Sequence, residues 1–168
     1  LNSDDIYFDK NSIESVVESF RENKTESIFG DLYYVDKYDL NKVIRYWKSS
    51  DFKLGSFAKG WHPPHPTFFV KKEVYEKHGL YDLELKVSAD FDLMLRFLEK
   101  YQISTTYLHK VLVKMRIGGQ SNNSIKNIII SNQSILRSFD KNKIKVNKLI
   151  YLINRLVPKI IQVIKKNK

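Results

Sequence analysis

The sequence predicts an α/β fold, because stretches with strand character alternate along the chain with stretches of helical periodicity. Residues 27–35 and 103–117 are rich in β-branched and aromatic side chains, which favour strands. Residues 11–22 and 88–98 instead repeat apolar side chains every three or four positions, the spacing of one helix face. The chain has 168 residues, 42% of them apolar, which is enough to bury a hydrophobic core.

The N-terminal third is predicted to contain one helix and one strand. The helix covers 11–22, with Asn11 or Ser12 as its N-cap, and the strand follows after a short turn. Residues 36–60 are polar and are predicted to be irregular, apart from one helical turn near 43–47.

The middle of the chain is predicted to form a rigid loop that leads into short elements. Pro63, Pro64 and Pro66 lack a backbone donor and restrict the residues before them, which excludes regular structure here. A buried strand at 68–70 and a short helix that ends at Gly79 are predicted to follow.

The C-terminal half is predicted to be mainly helical. Ser88 is the expected N-cap of the helix at 88–98, which precedes the second long strand. Further helices are predicted at 121–138 and 143–166, the second with a break at Pro158.

Charge divides the chain into two parts. The whole chain has 29 basic and 19 acidic residues, a net charge of +10. Residues 1–140 hold 20 basic residues and all 19 acidic ones, whereas 141–168 hold nine basic residues and no acidic one. We therefore predict a nearly neutral domain at 1–140 and a basic amphipathic helical tail at 141–168 with a partner of its own.

Composition excludes several classes of site. The chain has no cysteine, which rules out disulfides and thiolate metal sites and fits a reducing compartment. No run of about 18 apolar residues occurs, so no membrane-spanning helix is predicted. Nucleic acid is not an expected partner, because the excess basic residues lie in the tail rather than across a face of the domain.

Four segments carry polar side chains at predicted ends of strands and helices. They are Leu1-Asn2-Ser3-Asp4-Asp5, then His65-Pro66-Thr67-Phe68-Phe69-Val70-Lys71-Lys72 with Gly79-Leu80-Tyr81-Asp82, then Ala89-Asp90-Phe91-Asp92-Leu93-Met94-Leu95-Arg96, and finally Met115-Arg116-Ile117-Gly118-Gly119-Gln120-Ser121. In this order and spacing they resemble the motifs of the family-2 glycosyltransferases, which are inverting enzymes with the GT-A fold. The resemblance spans residues 1–121, and the helix predicted next extends it to about residue 138.

The resemblance implies a GT-A-like mixed sheet that is flanked by helices and binds a nucleotide sugar. Residues 1–140 are implied to be the acceptor-side part of this domain, truncated at the N-terminus so that the family's first strands precede residue 1. Because those strands hold the nucleotide base in the family, the fragment alone is expected to be inactive.

The first segment is implied to bind a metal ion and the donor. Carboxylate oxygens suit Mg²⁺ or Mn²⁺, either of which neutralises the charge that builds on a leaving nucleoside diphosphate. The resemblance implies Asp5 as the direct ligand, Asp4 near the ribose or a metal-bound water, and Asn2 where many members have a first aspartate. Arg116 is implied to approach the donor phosphates. Apart from the resemblance, Asp4 and Asp5 are equally typical of a solvated turn before a helix.

Asp90 is implied by the resemblance to be the catalytic base, which takes the proton of the acceptor hydroxyl. Backbone amides in the first turn of a helix stabilise the ionised form of a carboxylate there. Asp92 is a further candidate on the acceptor side. Acidic residues are also common in first turns without any catalytic role, and this alternative applies to both.

The proline-rich loop supplies candidate acceptor contacts. The resemblance implies that His65 lies beside the cleft, where it would orient acceptor or diphosphate oxygens, and Trp61 is a second candidate. Alternatively, His62 and His65 are merely tolerated in a rigid loop with Trp61 stacked over it. A zinc site formed by the two histidines is not expected, because no further ligand is near in sequence.

The tail has the composition of a membrane-surface helix. Residues 141–168 combine a broad apolar band with eight lysines and Arg155, the pattern of a helix that lies on an anionic leaflet. The alternative is a terminal helix that packs on its own domain or on a protein partner.

The leading prediction is therefore an inverting glycosyltransferase of the hexosyltransferase type. It would move a sugar from a nucleotide-sugar donor to a glycan or lipid-linked acceptor in bacterial surface polysaccharide synthesis. Its expected location is the cytoplasm or the inner face of the cell membrane. The alternatives are a non-catalytic binding module of the same fold and a nucleic-acid-binding domain.

Overall fold

A computed structural model describes residues 4–85, 87–117 and 125–154, with side chains described for all of these except 125–128. The predictions for Asn2, for Gly118 to Ser121 and for the break at Pro158 lie outside the described residues.

The described residues form a mixed five-stranded sheet. Its strands are β1 (Ile6–Tyr7), β2 (Ser27–Val35), β3 (Val43–Trp47), β4 (Phe69–Val70) and β5 (Thr105–Arg116). The order is β1-β5-β2-β3, and β4 pairs with the first residues of β2. The β2–β5 pair is parallel and the other pairs are antiparallel. This sheet and its flanking helices confirm the predicted α/β class.

The α-helices beside the sheet are α1 (Ser12–Asn23), α2 (Lys72–His78), α3 (Ala89–Leu95) and α4 (Ile125–Lys141). A π-helical turn, Arg96–Lys100, continues α3, and a last helical segment occupies 148–154. Short 3-10 turns occur at Phe57–Lys59 and His65–Thr67. The predicted strands at 27–35 and 103–117 are thereby confirmed to within a few residues as β2 and β5. The first three predicted helices are confirmed in the same way as α1, α2 and α3.

The helical turn predicted near 43–47 is wrong, because these residues form β3. Val43, Ile44 and Tyr46 have the β-branched and aromatic side chains that favour a pleated strand. Pairing with β2 then aligns Arg45 with Tyr34, and the Arg45 guanidinium carbon lies 5.3 Å from the centre of the Tyr34 ring. Cross-strand contacts of this kind stabilise residues 43–47 as a strand, and the sequence of this segment alone does not reveal them.

The predicted N-cap positions of α1 and α3 are confirmed as Asn11 and Ser88, but their side chains do not cap the helices. Neither Asn11 before α1 nor Ser88 before α3 makes a side-chain cap hydrogen bond. Asp9 holds the start of α1 instead, since its Oδ1 accepts from the Asn11 amide at 2.9 Å and from the Ser12 hydroxyl at 3.1 Å. The Ser88 hydroxyl is hydrogen-bonded to that of Ser134 on α4. Ser88 therefore joins two helices rather than capping one.

Two hydrophobic clusters form the core. The first lies between α1 and the sheet and contains Val16, Ile28, Leu32, Leu112 and Val113. The second surrounds α3, and its largest fully buried side chains include Phe57, Phe97, Phe139 and Tyr151. Burial of apolar area at about 25 cal/mol per Å² makes these clusters the main stabilising contribution.

Part of the predicted tail belongs to this core. Tyr151 is fully buried and its ring centre lies 5.2 Å from that of Phe139 on α4. Asn142 is also buried. In the described part of the chain, no helix combines the length and apolar character needed to cross a bilayer.

Candidate functional site

The proline-rich loop is fixed to the sheet by Thr67. The buried Thr67 hydroxyl donates to the carbonyl oxygens of Gly30, at 2.9 Å, and Pro64, at 2.8 Å. It also accepts from the Gly30 amide at 3.3 Å. Because Pro64 and Pro66 restrict the backbone on both sides of His65, the loop holds this residue in one place above β2.

His65 meets Asp90, the first acidic residue of α3. The Nδ1 atom of His65 lies 3.1 Å from Oδ2 of Asp90, and the two side chains are 31% and 37% exposed. The pair is therefore anchored on rigid backbone yet open to a ligand. The sequence singled out both residues for the acceptor side, and the fold brings them into direct contact.

Tyr81 interacts electrostatically with Asp90. Asp90 and burial both raise the pKa of Tyr81, with burial the larger cause. Tyr81 is hydrogen-bonded through its side chain to Tyr75, and burial together with Tyr81 raises the pKa of Tyr75 to about 12. Both phenols thus stay protonated at neutral pH, and Tyr81 is the one that interacts with Asp90.

His62, which lies in the same proline-rich loop as His65, packs among aromatic rings. Its ring centre lies 5.3 Å from that of Trp47 and 5.6 Å from that of Phe91. Its Nδ1 lies 3.0 Å from the carbonyl oxygen of Pro63. His62 therefore supports the position of α3, since Phe91 directly follows Asp90.

Asp92 has a different environment from Asp90. It is buried, and its Oδ1 accepts from Nδ2 of Asn142 at 2.8 Å. Burial raises the pKa of the Asp92 carboxyl, and the hydrogen bond from Asn142 opposes that change. Asp92 lines a cavity of about 320 Å³ with Tyr81, Arg96 and Lys141, and this cavity includes neither His65 nor Asp90.

Asp4 and Arg116 form a second contact between predicted site residues. The Arg116 Nε donates to the carbonyl oxygen of Asp4 at 3.1 Å, and its Nη1 donates to that of Lys37 at 2.8 Å. Arg116 thereby joins the start of the described chain to the end of β2. Its guanidinium remains beside Asp4, on the predicted donor side.

The two N-terminal carboxylates differ in accessibility. Asp4 is exposed, whereas Asp5 is buried at 5% exposure and acts on Tyr34, whose pKa is raised mainly by burial. Among the described residues no group of three or more histidine or acidic side chains is arranged to hold a metal ion. Mg²⁺ and Mn²⁺ can use a single carboxylate together with phosphate oxygens and water. Of the two, Asp4 is the residue whose carboxylate is exposed to an ion from solvent, whereas the predicted direct ligand Asp5 is buried.

Trp61 packs against other aromatic rings: its ring centre is 5.9 Å from those of Phe29, Phe52 and Phe57. It also lines a cavity of about 290 Å³ with polar residues that include Asp51, Lys53 and Lys59. An aromatic wall beside polar groups is a surface on which a sugar ring can stack.

Two buried carboxylates were missed by sequence reasoning. Asp31 of β2 accepts from the Ser49 amide and the Tyr107 hydroxyl, each at 2.7 Å, and from the Tyr46 hydroxyl. The hydrogen bond to Asp31 raises the pKa of Tyr46 to about 12. Glu99 accepts from the amides of Gly55, at 2.8 Å, and Phe57, at 3.1 Å. An acid within the apolar run of β2 was the available signal for Asp31.

Comparison with known proteins adds no family assignment: no protein-family model matches this chain, and no curated protein is significantly similar to it.

Proposed function

We propose that this chain is the acceptor-side part of an inverting glycosyltransferase that uses a nucleotide-sugar donor. The observation that carries the proposal is the His65–Asp90 contact, 3.1 Å long and partly open to solvent. Inverting transfer needs one group that removes the proton of the acceptor hydroxyl, and a fixed, accessible carboxylate–imidazole pair is suited to that task. The residues of this pair stand in two of the four segments that resemble the family.

The donor side of the proposal rests on Asp4, Asp5 and Arg116. A divalent cation, Mg²⁺ or Mn²⁺, supplies charge neutralisation on the leaving diphosphate when it is bound. Asp4 offers an exposed carboxylate for it, and Arg116 adds a positive charge beside Asp4. We also propose that these groups and Asp90 face a common crevice.

The acceptor is proposed to be a glycan or a lipid-linked glycan of a bacterial surface polysaccharide. Trp61, with its cavity of about 290 Å³, is a candidate for stacking against an acceptor sugar. Asp92 is a weaker candidate for acceptor contact, because it is buried and bonded to Asn142. The basic tail is proposed to bring the protein to the inner face of the membrane, where lipid-linked acceptors lie.

A binding module without catalysis is the second candidate function. The burial of Asp5 favours it, since a carboxylate at 5% exposure is poorly placed to bind an ion from solvent. Such a module would bind nucleotide or glycan and turn over neither.

Asp90→Asn tests the proposal in the protein as it is naturally expressed. We expect release of nucleoside diphosphate from a panel of nucleotide sugars, with glycan or lipid-linked acceptors, to fall by about 10²–10⁴-fold. Binding of the nucleotide with Mn²⁺, measured by calorimetry, should stay unchanged because Asp90 acts on the acceptor. Glu76→Gln is the control, as this exposed glutamate pairs with Lys72 within its own helix. Equal turnover by the wild type and Asp90→Asn would remove Asp90 from the reaction.

A further inference from the structure

The His65–Asp90 contact leaves open which of the two groups receives the acceptor proton. An imidazole ordinarily titrates near pH 6.5, closer to neutral pH than a carboxyl group at about 4, and so is the better matched general base. The contact itself shows which ring nitrogen is engaged.

We propose that His65 is the group that accepts the proton, through Nε2, and that Asp90 is its positioning residue. This inference rests on the proposed glycosyltransferase function and names the proton acceptor of that same site. Oδ2 of Asp90 lies 3.1 Å from Nδ1 of His65. A carboxylate beside Nδ1 favours the tautomer that carries its proton there, and this tautomer leaves the Nε2 lone pair as acceptor. Nε2 is the ring nitrogen that Asp90 does not engage, and the His65 side chain is 31% exposed, so the proposal assigns Nε2 to the acceptor hydroxyl.

A general base must be held in a fixed position, and the proline-rich loop holds His65 in this way. The backbone of His65 lies between two prolines, and its carbonyl oxygen accepts from the Phe68 amide at 3.1 Å. Thr67, two residues on, is bonded to both backbone groups of Gly30. Because Asp90 stands at the start of α3, which packs in the second hydrophobic cluster, both members of the pair are held by rigid elements.

The proposed step transfers the donor sugar to the acceptor oxygen and the acceptor proton to His65. The acceptor oxygen bonds to the anomeric carbon of the donor sugar while its proton passes to Nε2 of His65. The bond between the anomeric carbon and the phosphate oxygen breaks, and its electron pair leaves with the nucleoside diphosphate. The imidazolium, stabilised by the carboxylate of Asp90, then returns its proton to solvent.

The tautomer of His65 can be measured without any substrate. Nitrogen-15 NMR of the 168-residue chain at about pH 8, where an ordinary imidazole is neutral, distinguishes Nδ1–H from Nε2–H. His65→Gln identifies the signals of His65 among the four histidines. We expect the Nδ1–H form in the wild type and a shift towards Nε2–H in Asp90→Asn. An Nε2–H form in the wild type would overturn the proposal.

Two substitutions then separate the proton acceptor from a merely structural partner. Asn at position 65 keeps an N–H donor at the place of Nδ1 and has no atom at the place of Nε2, whereas Gln reaches the place of Nε2 without a basic nitrogen. We expect both His65→Asn and His65→Gln to lower turnover of the nucleotide-sugar panel by about 10²–10⁴-fold with nucleotide binding retained. Near-normal turnover by His65→Asn would show that Asp90 acts on the hydroxyl itself and would overturn the proposal. These turnover measurements use the protein as it is naturally expressed. If that wild-type protein turns over no donor, the proposed function fails, and the tautomer measurement alone decides the contact between His65 and Asp90.

Discussion

Asp90 and Asp92 lie two residues apart on α3 and have opposite surroundings. Asp90 is partly exposed beside His65, whereas Asp92 is buried beside Asn142. Successive residues on a helix are about 100° apart, so positions i and i+2 point to nearly opposite faces. The sequence identified both acids as candidates, but only the tertiary contacts show which of them a ligand can reach.

The burial of Asp92 makes a prediction about pH. The raised pKa means that the folded state binds a proton at Asp92 more tightly than the unfolded state, whose ordinary value is 3.8. The stability contributed by the protonated form is therefore complete below pH 3.8 and is lost as pH rises through the higher folded pKa. Asp92→Asn, which can still accept from Asn142, should be as stable as the wild type or more stable by about 1 kcal/mol at pH 7.

The measurement for Asp92→Asn is urea denaturation across the acidic range. The difference in unfolding free energy between variant and wild type should shrink as pH falls towards 3.8. Asp140→Asn is the matched control, because Asp140 is 60% exposed and pairs with Lys148 at the surface. A difference for Asp92→Asn that is independent of pH would contradict the raised pKa.

At the scale of elements, the close approach of β2 and β5 depends on Gly30. A Cβ atom at this position would lie 2.6 Å from Cδ1 of Leu112 and 2.8 Å from the carbonyl oxygen of Lys110. The pairing of these strands shifts register between Phe29 and Asp31, on either side of the glycine. A side chain here would push the strands apart and would also move Thr67, which is bonded to the Gly30 backbone.

Gly30→Ala should therefore destabilise the fold by about 2–3 kcal/mol, as overpacking of a core does. Thermal unfolding of the 168-residue chain measures this. Gly55→Ala is the comparison, because a Cβ there has no neighbour within 4 Å and only the positive φ of 84° opposes it. That cost is expected to be about 1 kcal/mol. Equal losses in the two variants would refute the steric account of Gly30.

The elements that the sequence predicts correctly are those whose pattern is local and long. The spacing of apolar residues in α1 and the β-branched and aromatic run in β2 repeat over enough positions to determine their periods. β3 has five residues, and its strand conformation depends on pairing with β2, which no local pattern reveals. The contact of His65 with Asp90 was unpredictable for the same reason, since it requires the positions of both the loop and α3.

At the scale of the whole molecule, the charge boundary near residue 140 is not where packing ends. Asn142 bonds to Asp92 of α3, and Tyr151 is fully buried against Phe139 of α4. On the outer side of this segment Leu149, Ile150 and Ile153 are exposed. Residues 142–152 thus pack on the domain with one side and present apolar side chains with the other.

This arrangement decides where a truncation can test the proposed membrane role. Cutting at 141 would remove Tyr151 from the core, a loss of about 3–5 kcal/mol by analogy with other large buried aromatics. Cutting after 154 keeps the packed residues and removes five basic residues of the tail, namely Arg155, Lys159, Lys165, Lys166 and Lys168.

We expect the variant 1–154 to unfold at the same temperature as the full chain and to lose flotation with vesicles that contain anionic phosphatidylglycerol. Each basic residue near an anionic leaflet contributes about 1 kcal/mol, so removing five of them weakens binding by several orders of magnitude. Vesicles of neutral phosphatidylcholine should retain neither protein, and a full chain with Lys159, Lys165, Lys166 and Lys168 changed to Gln should behave like 1–154. Equal flotation of 1–154 and the full chain would show that the residues beyond 154 do not bring the protein to the membrane.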